Sequence, residues 1–362
     1  MVVLPLFIAV FFTTLMEDGQ PVNMPIGVVD LDNTSITRKL TRMVDAFQST
    51  RVVSHYPSMD AARNAVQRNE IYGFVLFPHN MTSDLLSGHQ PRMSFYFTNT
   101  SLTAGALVYK DMKTMCSLAS AGVGQAMMQA RGLTQKQVMA FLQPVAIDLH
   151  TIGNPWVNYN IYLSAAFVPG MMLLFIFLIT VYAVGTEIKF GTSREWIKTA
   201  GGNIAKALAG KLLPYTLIFM TVFSAILFYL FGILHFPAPG GYGRILLLSL
   251  LAVMSTQGFA LFVFGLMPSL RLAMSICSLW AVLSFSMVGS AFPVFAMDAP
   301  LQSMAWLFPL RHYYMIYQLC IFNTYPLTDV AVHISVMLLY MLLPLLLLRR
   351  IGKAMNTFEY QP

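Results

Sequence analysis

The sequence predicts an α-helical polytopic membrane protein, with six transmembrane helices and an inserted extracytoplasmic α/β domain. Three observations carry that expectation. Of 362 residues, 57% are hydrophobic and only 10% charged, against about 25% charged in an ordinary globular chain. More than half of the charges lie in one segment, residues 17–159, and long stretches elsewhere carry none. The Lys and Arg outside that segment fall almost wholly on alternate connections between the apolar stretches.

A spanning helix needs about 20 apolar residues, because the hydrocarbon core is about 30 Å thick and the helix rises about 1.5 Å per residue. Segments 161–184, 212–236, 245–267, 272–296 and 330–348 meet that length without Asp, Glu, Lys or Arg. Segment 1–16 is equally apolar but reaches only about 24 Å before Glu17 and Asp18. It shows neither the positive n-region nor the small-residue cleavage site of a secretory signal. It is expected to be the outer part of a first transmembrane helix, with the natural chain beginning upstream of Met1.

Short loops that keep Lys and Arg stay on the cytoplasmic side, whereas long translocated domains are exempt. With an outward first helix, Lys189, Arg194, Lys198, Lys206, Lys211, Arg271, Arg349, Arg350 and Lys353 fall inside, and only Arg244 and Arg311 fall outside. Residues 17–159 are therefore expected outside and both termini inside. The net charge of +7 comes mostly from the membrane part and forms no basic stripe, which argues against nucleic-acid binding. Cys116, Cys277 and Cys320 lie far apart without CxxC or Cys/His spacing, so neither a disulfide framework nor a zinc site is expected.

The insert is long enough to own a core. Short β-rich runs at 26–29, 52–56, 72–77 and 93–97 alternate with helical-period segments at 34–47, 59–68 and 81–86, the pattern of an α/β domain with a partly parallel sheet. A long Met- and Ala-rich helix is expected over 102–131 and another over 134–142 before Pro144. Pro155 and Trp156 lead back to the membrane, Trp156 as an interface residue.

Two local motifs point to enzymes and lack their context. Val28-Val29-Asp30-Leu31-Asp32-Asn33-Thr34 resembles the first motif of haloacid-dehalogenase-like phosphatases, but Asp60, Asp84, Asp111 and Asp148 are each solitary and offer no acidic pair for Mg²⁺. The bland reading is that Asp30 and Asp32 end a strand and Asn33, Thr34 or Ser35 caps the next helix. Gly210-Lys211 departs from a phosphate-binding P-loop, with Ala205 and Leu212 where Gly and Ser or Thr belong. The seven histidines are dispersed, with no pair at i,i+4. Gln257 is polar at membrane depth, His235 and His333 are polar near span ends, and Pro169, Pro293 and Pro344 suit rocking helices and plain packing equally.

The connection after the second span is the most informative. It runs from Gly185 through Glu187, Gly191, Thr192 and Lys198 to Gly201-Gly202-Asn203, and a short basic helix is expected to end at Gly210-Lys211. Thr192 or Ser193 is placed to cap a helix showing Trp196 and Ile197, flanked by Arg194, Glu195 and Lys198. Such a helix rests on anionic lipid or is gripped by a soluble partner.

These features join Pro25-Ile26-Gly27-Val28-Val29, Tyr72-Gly73-Phe74-Val75-Leu76-Phe77-Pro78 and Phe167-Val168-Pro169-Gly170. Further along stand Glu187 with Phe190-Gly191-Thr192 and Glu195, Gly210-Lys211-Leu212-Leu213-Pro214, Phe292-Pro293-Val294 and Leu307-Phe308-Pro309-Leu310-Arg311-His312-Tyr313. Together, nearly end to end, they resemble the permease subunit of a type-2 ABC exporter with a large extracytoplasmic domain between its first two transmembrane helices. Lys189 and Arg194 depart from it, standing where many members carry acids.

The resemblance implies residues 1–16 as first helix, 17–159 as outer domain, 160–353 as a five-helix region and 354–362 as cytoplasmic tail. Within the third, 185–211 would be the coupling loop and 301–322 a re-entrant segment. Glu187, Gly191, Thr192, Arg194, Glu195 and Trp196 would couple to a separate ATPase, and Pro169 and Gln257 would line the transport pathway. No cofactor is implied in this chain: ATP binds the partner. Two permeases, alike or different, would surround one route in the cell inner membrane, exporting drug-like hydrophobic or amphiphilic cargo by alternating access. Some members pass cargo to a periplasmic adaptor and outer-membrane channel. A non-transporting receptor presenting its outer domain is the other reading, and an outer phosphatase would rest on Asp30 and Asp32 alone.

Overall fold

In the computed structural model, which describes residues 1–87, 89–142, 154 and 157–357, the apolar start forms α1 (Val3–Leu15). The chain divides into two units, Asp18–Thr151 and Met1–Glu17 with Ile152–Pro362. The first unit runs β1 (Met24–Asp30), α2 (Ser35–Asp45), β2 (Thr50–His55), α3 (Met59–Gln67), β3 (Gly73–Phe77), α4 (Met81–Leu86), β4 (Ser94–Phe97), α5 (Leu102–Ala130) and α6 (Gln135–Leu142). Its sheet order is β2-β1-β3-β4, with β1 parallel to both neighbours and β4 antiparallel to β3.

Helices cover both faces of this sheet. Ile26 and Val28 of β1 pack with Leu40 and Val44 of α2 and Val108 and Met112 of α5. Val29 packs with Ala62 and Ala65 of α3. A strand covered on both sides reads as an unbroken apolar run, which is why residues 26–29 lack alternation. At Gly27 a side chain would collide with the Tyr56 ring, 2.7 Å from an added Cβ. Thr34 caps α2 reciprocally with Thr37, and Ser58 caps α3.

The second unit continues with α7 (Tyr159–Lys189), α8 (Ser193–Thr199), α9 (Ile204–Leu227), α10 (Tyr242–Leu266), α11 (Leu270–Met287), α12 (Ala299–Ala305), α13 (Pro309–Ile316), α14 (Ala331–Leu342) and α15 (Leu348–Thr357). Among the described residues, five helices are long and apolar enough to cross a membrane: Tyr159–Lys189, Ile204–Ile233, Tyr242–Leu266, Leu270–Met287 and Leu327–Thr357. The second extends α9 by a π-helical turn, and the last joins α14 to α15 through a 3₁₀ turn at Pro344. At 13 residues, α1 is shorter than these. It packs into the same unit, where Ala9 is buried and Phe12 stacks on Phe167.

Several expected boundaries move. The span expected to reach 296 ends at Met287, because Gly289 turns at φ +93° and Arg311 donates to the Val288 carbonyl at 2.6 Å. A side chain of α13 thus satisfies the end of α11. The basic helix expected to stop at Gly210-Lys211 does not: α9 begins at Ile204 and passes through both residues and Pro214. The motif that departs from a P-loop is therefore helical. Helix α7 likewise runs unbroken through Pro169. Close approach replaces breakage as the theme, since Gly258 lies against the backbone of Tyr340 and Met341, and Gly170 admits Phe285 and Leu310. Pro144, Asp148, His150, Pro155, Trp156 and residues 358–362 lie outside the described residues.

Candidate functional site

The connection between α7 and α9 is built by helix ends. Helix α7 stops because Gly191 takes φ +69° and its N–H bonds the Ile188 carbonyl, while the Thr192 N–H bonds that of Glu187. After α8, Gly201 and Gly202 repeat the left-handed turn, and Asn203 Oδ1 accepts from the Ala205 and Lys206 N–H groups to start α9. Two short turns thus hold a seven-residue helix between two long ones.

Glu187 anchors the assembly. Its carboxylate forms an ion pair with Lys211 of α9, the two side chains being only 15% and 19% exposed, and accepts from Thr192 Oγ1 at 2.5 Å. The Lys211 ammonium also sits 5.3 Å from the Trp196 ring centroid. Neither Thr192 nor Ser193 caps α8 by side chain. The Thr192 hydroxyl is committed to Glu187, and the buried Ser193 hydroxyl donates to the Met355 carbonyl of α15 at 2.5 Å. Arg194 donates from Nε and Nη2 to the Asn356 carbonyl at 3.1 and 2.8 Å, a cation at the carbonyl end of a helix.

The apolar side of α8 turns inward. Ile197 is buried with Leu208, Leu212, Ile351 and Met355, and Trp196 packs half-buried against the same cluster. Trp196, expected to couple to a partner, packs half-buried against the chain's own core and keeps part of its ring exposed. The outer face holds Gly191, Thr192, Arg194, Glu195 and Lys198. Beside them Phe190 is 69% exposed. Sequence reading placed Phe190 in a motif and gave it no role, because an isolated Phe after an apolar span carries no periodic signal. Ser193, Lys211 and the α15 carbonyls were missed for another reason: separations of 24 and 162 residues have no pattern to find.

The pathway candidates lie elsewhere. Pro169 borders a cavity of about 20 Å³ whose other walls include Ser164, Phe223 and Tyr313. Gln257 does not line it. Its Oε1 accepts from Thr216 at 2.8 Å, while its buried Nε2 has no hydrogen-bond partner among the described residues. Two histidines treated as dispersed meet: His312 Nδ1 lies 2.9 Å from His333 Nδ1, and His312 Nε2 lies 2.8 Å from the Trp306 carbonyl. A carbonyl only accepts, so Nε2 of the neutral His312 carries the proton and its Nδ1 accepts from His333. The Tyr340 hydroxyl donates to the same carbonyl and Trp306 stacks on His333.

In the α/β unit, Asp30 and Asp32 are occupied by their own turn. Asp30 Oδ1 accepts from the N–H groups of Asp32 and Asn33, and Oδ2 from the Thr37 hydroxyl at 2.7 Å. Asp32 Oδ2 accepts from the Thr82 hydroxyl and N–H, and the Thr82 hydroxyl holds this carboxyl below the usual range. No group of three or more His, Cys, Asp or Glu among the described residues is arranged to hold a metal.

A family model described as ABC-2 family transporter protein matches residues 1–349. No curated protein gives a match to the chain.

Proposed function

The chain belongs to the ABC-2 family of transporter proteins, and from that premise we propose that it is the permease subunit of an ATP-driven exporter. As a member it is a multi-pass membrane component of an ABC transporter, itself not catalytic, working with an ATPase. Outward transport of hydrophobic or amphiphilic cargo by alternating access is our reading, in a cell inner membrane, with two permeases around one route and ATP bound on the separate subunit. The nine Lys and Arg that share one side of the spans support placing both termini in the cytoplasm and residues 17–159 outside, with α1 counted as the first of six spans. A periplasmic adaptor and outer-membrane channel would receive the cargo.

One observation carries the coupling role: α8 is fastened to α7 and α9 through Glu187 and Lys211 and to α15 through Ser193 and Arg194. A partner moves the spans only through contacts that differ between its open and closed states. A helix tied to three others transmits such a displacement, whereas one resting on lipid needs no fastening. Glu187 and Trp196 hold α8 in place, and Phe190, Gly191, Thr192, Arg194 and Glu195 present the surface.

Two experiments test this. Impermeant thiol labelling of Ser83→Cys and Thr199→Cys in a cysteine-free background should reach position 83 alone in intact spheroplasts; the reverse pattern refutes the orientation. Co-purification of an ATPase with the chain, weakened by Phe190→Ala, supports the coupling surface, and undiminished co-purification and cargo-stimulated ATP hydrolysis in that variant would remove it.

A further inference from the structure

The α/β unit carries a groove of about 930 Å³ between α2, α4 and α5. That lies within the range of roughly 300–1,000 Å³ typical of small-molecule clefts. Leu40 and Met81 are buried in its wall, with Met43, Met93 and Cys116 half-buried beside them. Along α5 the lining residues Ala119, Gly122, Gly124 and Ala126 are small. A Cβ added at Gly122 meets nothing within 4 Å, so open space remains where an ordinary helix would project side chains. Methionines suit a site that takes flexible apolar bodies, since the unbranched thioether adapts to their shape.

Its charge is one-sided. Lys39 and His89 line the groove and no carboxylate does. Lys39 is exposed and takes part in no ion pair among the described residues. We propose that this groove binds a small amphiphile with an apolar chain and an anionic head, the chain lying along the methionines and the head beside Lys39. The proposal concerns binding alone and stands or falls independently of the direction in which the protein moves cargo.

Cys116 supplies a native reporter, because it lines the groove whereas Cys277 and Cys320 are buried in the other unit. Burial pushes its thiol up, so alkylation is run on the alkaline side. The full chain in lipid nanodiscs is treated with N-ethylmaleimide, with laurate or dodecyltrimethylammonium below their micellar concentrations, and modification at Cys116 is read by peptide mass spectrometry. Laurate should slow the reaction about fivefold or more while the cation of equal chain length leaves it unchanged. Lys39→Glu, at an exposed position, should weaken laurate protection by about fivefold, the scale of one exposed charge pair. Gly122→Trp, filling open space, should remove the laurate-dependent change. No protection by laurate, equal protection by the cation, or protection intact in Lys39→Glu would overturn the proposal. Alkylation slowed by additional copies of the chain and indifferent to laurate would assign the groove to a second copy and overturn it equally.

Discussion

Polar side chains close their bonds differently in the two units. In the α/β unit they mostly stay local: Asp30 reaches Asp32, Asn33 and Thr37, and Thr34 reaches Thr37, with Asp32 to Thr82 a longer exception. In the helical unit the telling bonds cross the chain. Asn160 donates to the Thr13 carbonyl, Ser193 to Met355, Arg311 to Val288 and Tyr340 to Trp306. In water, burying apolar surface already selects register and docking. In hydrocarbon an apolar helix face gains little by leaving lipid, so small residues and polar bonds choose which helices meet. Polar groups therefore punctuate the α/β unit and hold the helical one together.

The comparison breaks most visibly at Glu187. Glu187→Ala leaves the half-buried Lys211 without its partner and should cost about 2–3 kcal/mol, between the exposed and fully buried cases, read as a lower denaturation midpoint of the full chain. Glu187→Ala with Lys211→Ala should recover much of that loss, and a double variant as unstable as the single would show that the pair does not join α7 to α9.

Next in size is the pair of aromatics beside that ion pair. Trp196→Ala removes half-buried packing and should destabilise the chain by about 2 kcal/mol. Phe190→Ala should leave the denaturation midpoint in place and weaken ATPase binding, by about 2 kcal/mol if this exposed ring is an interface anchor. Equal destabilisation by both variants would contradict the inward and outward assignments of the two rings.

Local bonds should matter less. Asp30→Asn loses part of one turn and should cost the α/β unit about 1 kcal/mol, measured by hydrogen exchange of the β1 amides in the intact chain, with α7 amides unaffected. The smallest effect concerns pH. Burial raises Asp111, whose Oδ2 is unpaired among the described residues, while the Thr82 hydroxyl lowers Asp32. Asp32 contributes stability above the usual Asp range that is lost as pH falls through its depressed value. Asp111 acts oppositely, costing stability as pH rises from the usual Asp range through its raised value. Asp111→Asn should therefore flatten the upper part of this dependence, and an unchanged profile of β1 exchange against pH would refute the assignment.

How much was legible follows the same division. The alternation of strands and helices over residues 24–142 could be read within two residues of each observed boundary, because periodicity, caps at Thr34 and Ser58, and apolar runs are local properties. Five spans were legible because a bilayer demands length and apolarity, which composition displays. The position of α8 was legible from Gly191 and Gly201-Gly202.

Which way that helix faces was not. Trp196 and Ile197 read as an apolar face for lipid or a soluble partner, and only the fold shows that face packed on Ile351 and Met355 of α15. The same holds for His312 and His333, 21 residues apart, and for the groove on α5, whose openness depends on what α2 and α4 leave uncovered. Composition and period determine which segments become helix, strand or span, since each responds to its own neighbours and solvent. Pairing between distant segments depends on shape and bond geometry assembled in three dimensions, so only the tertiary structure decides which of two available faces is buried and which is left for a partner.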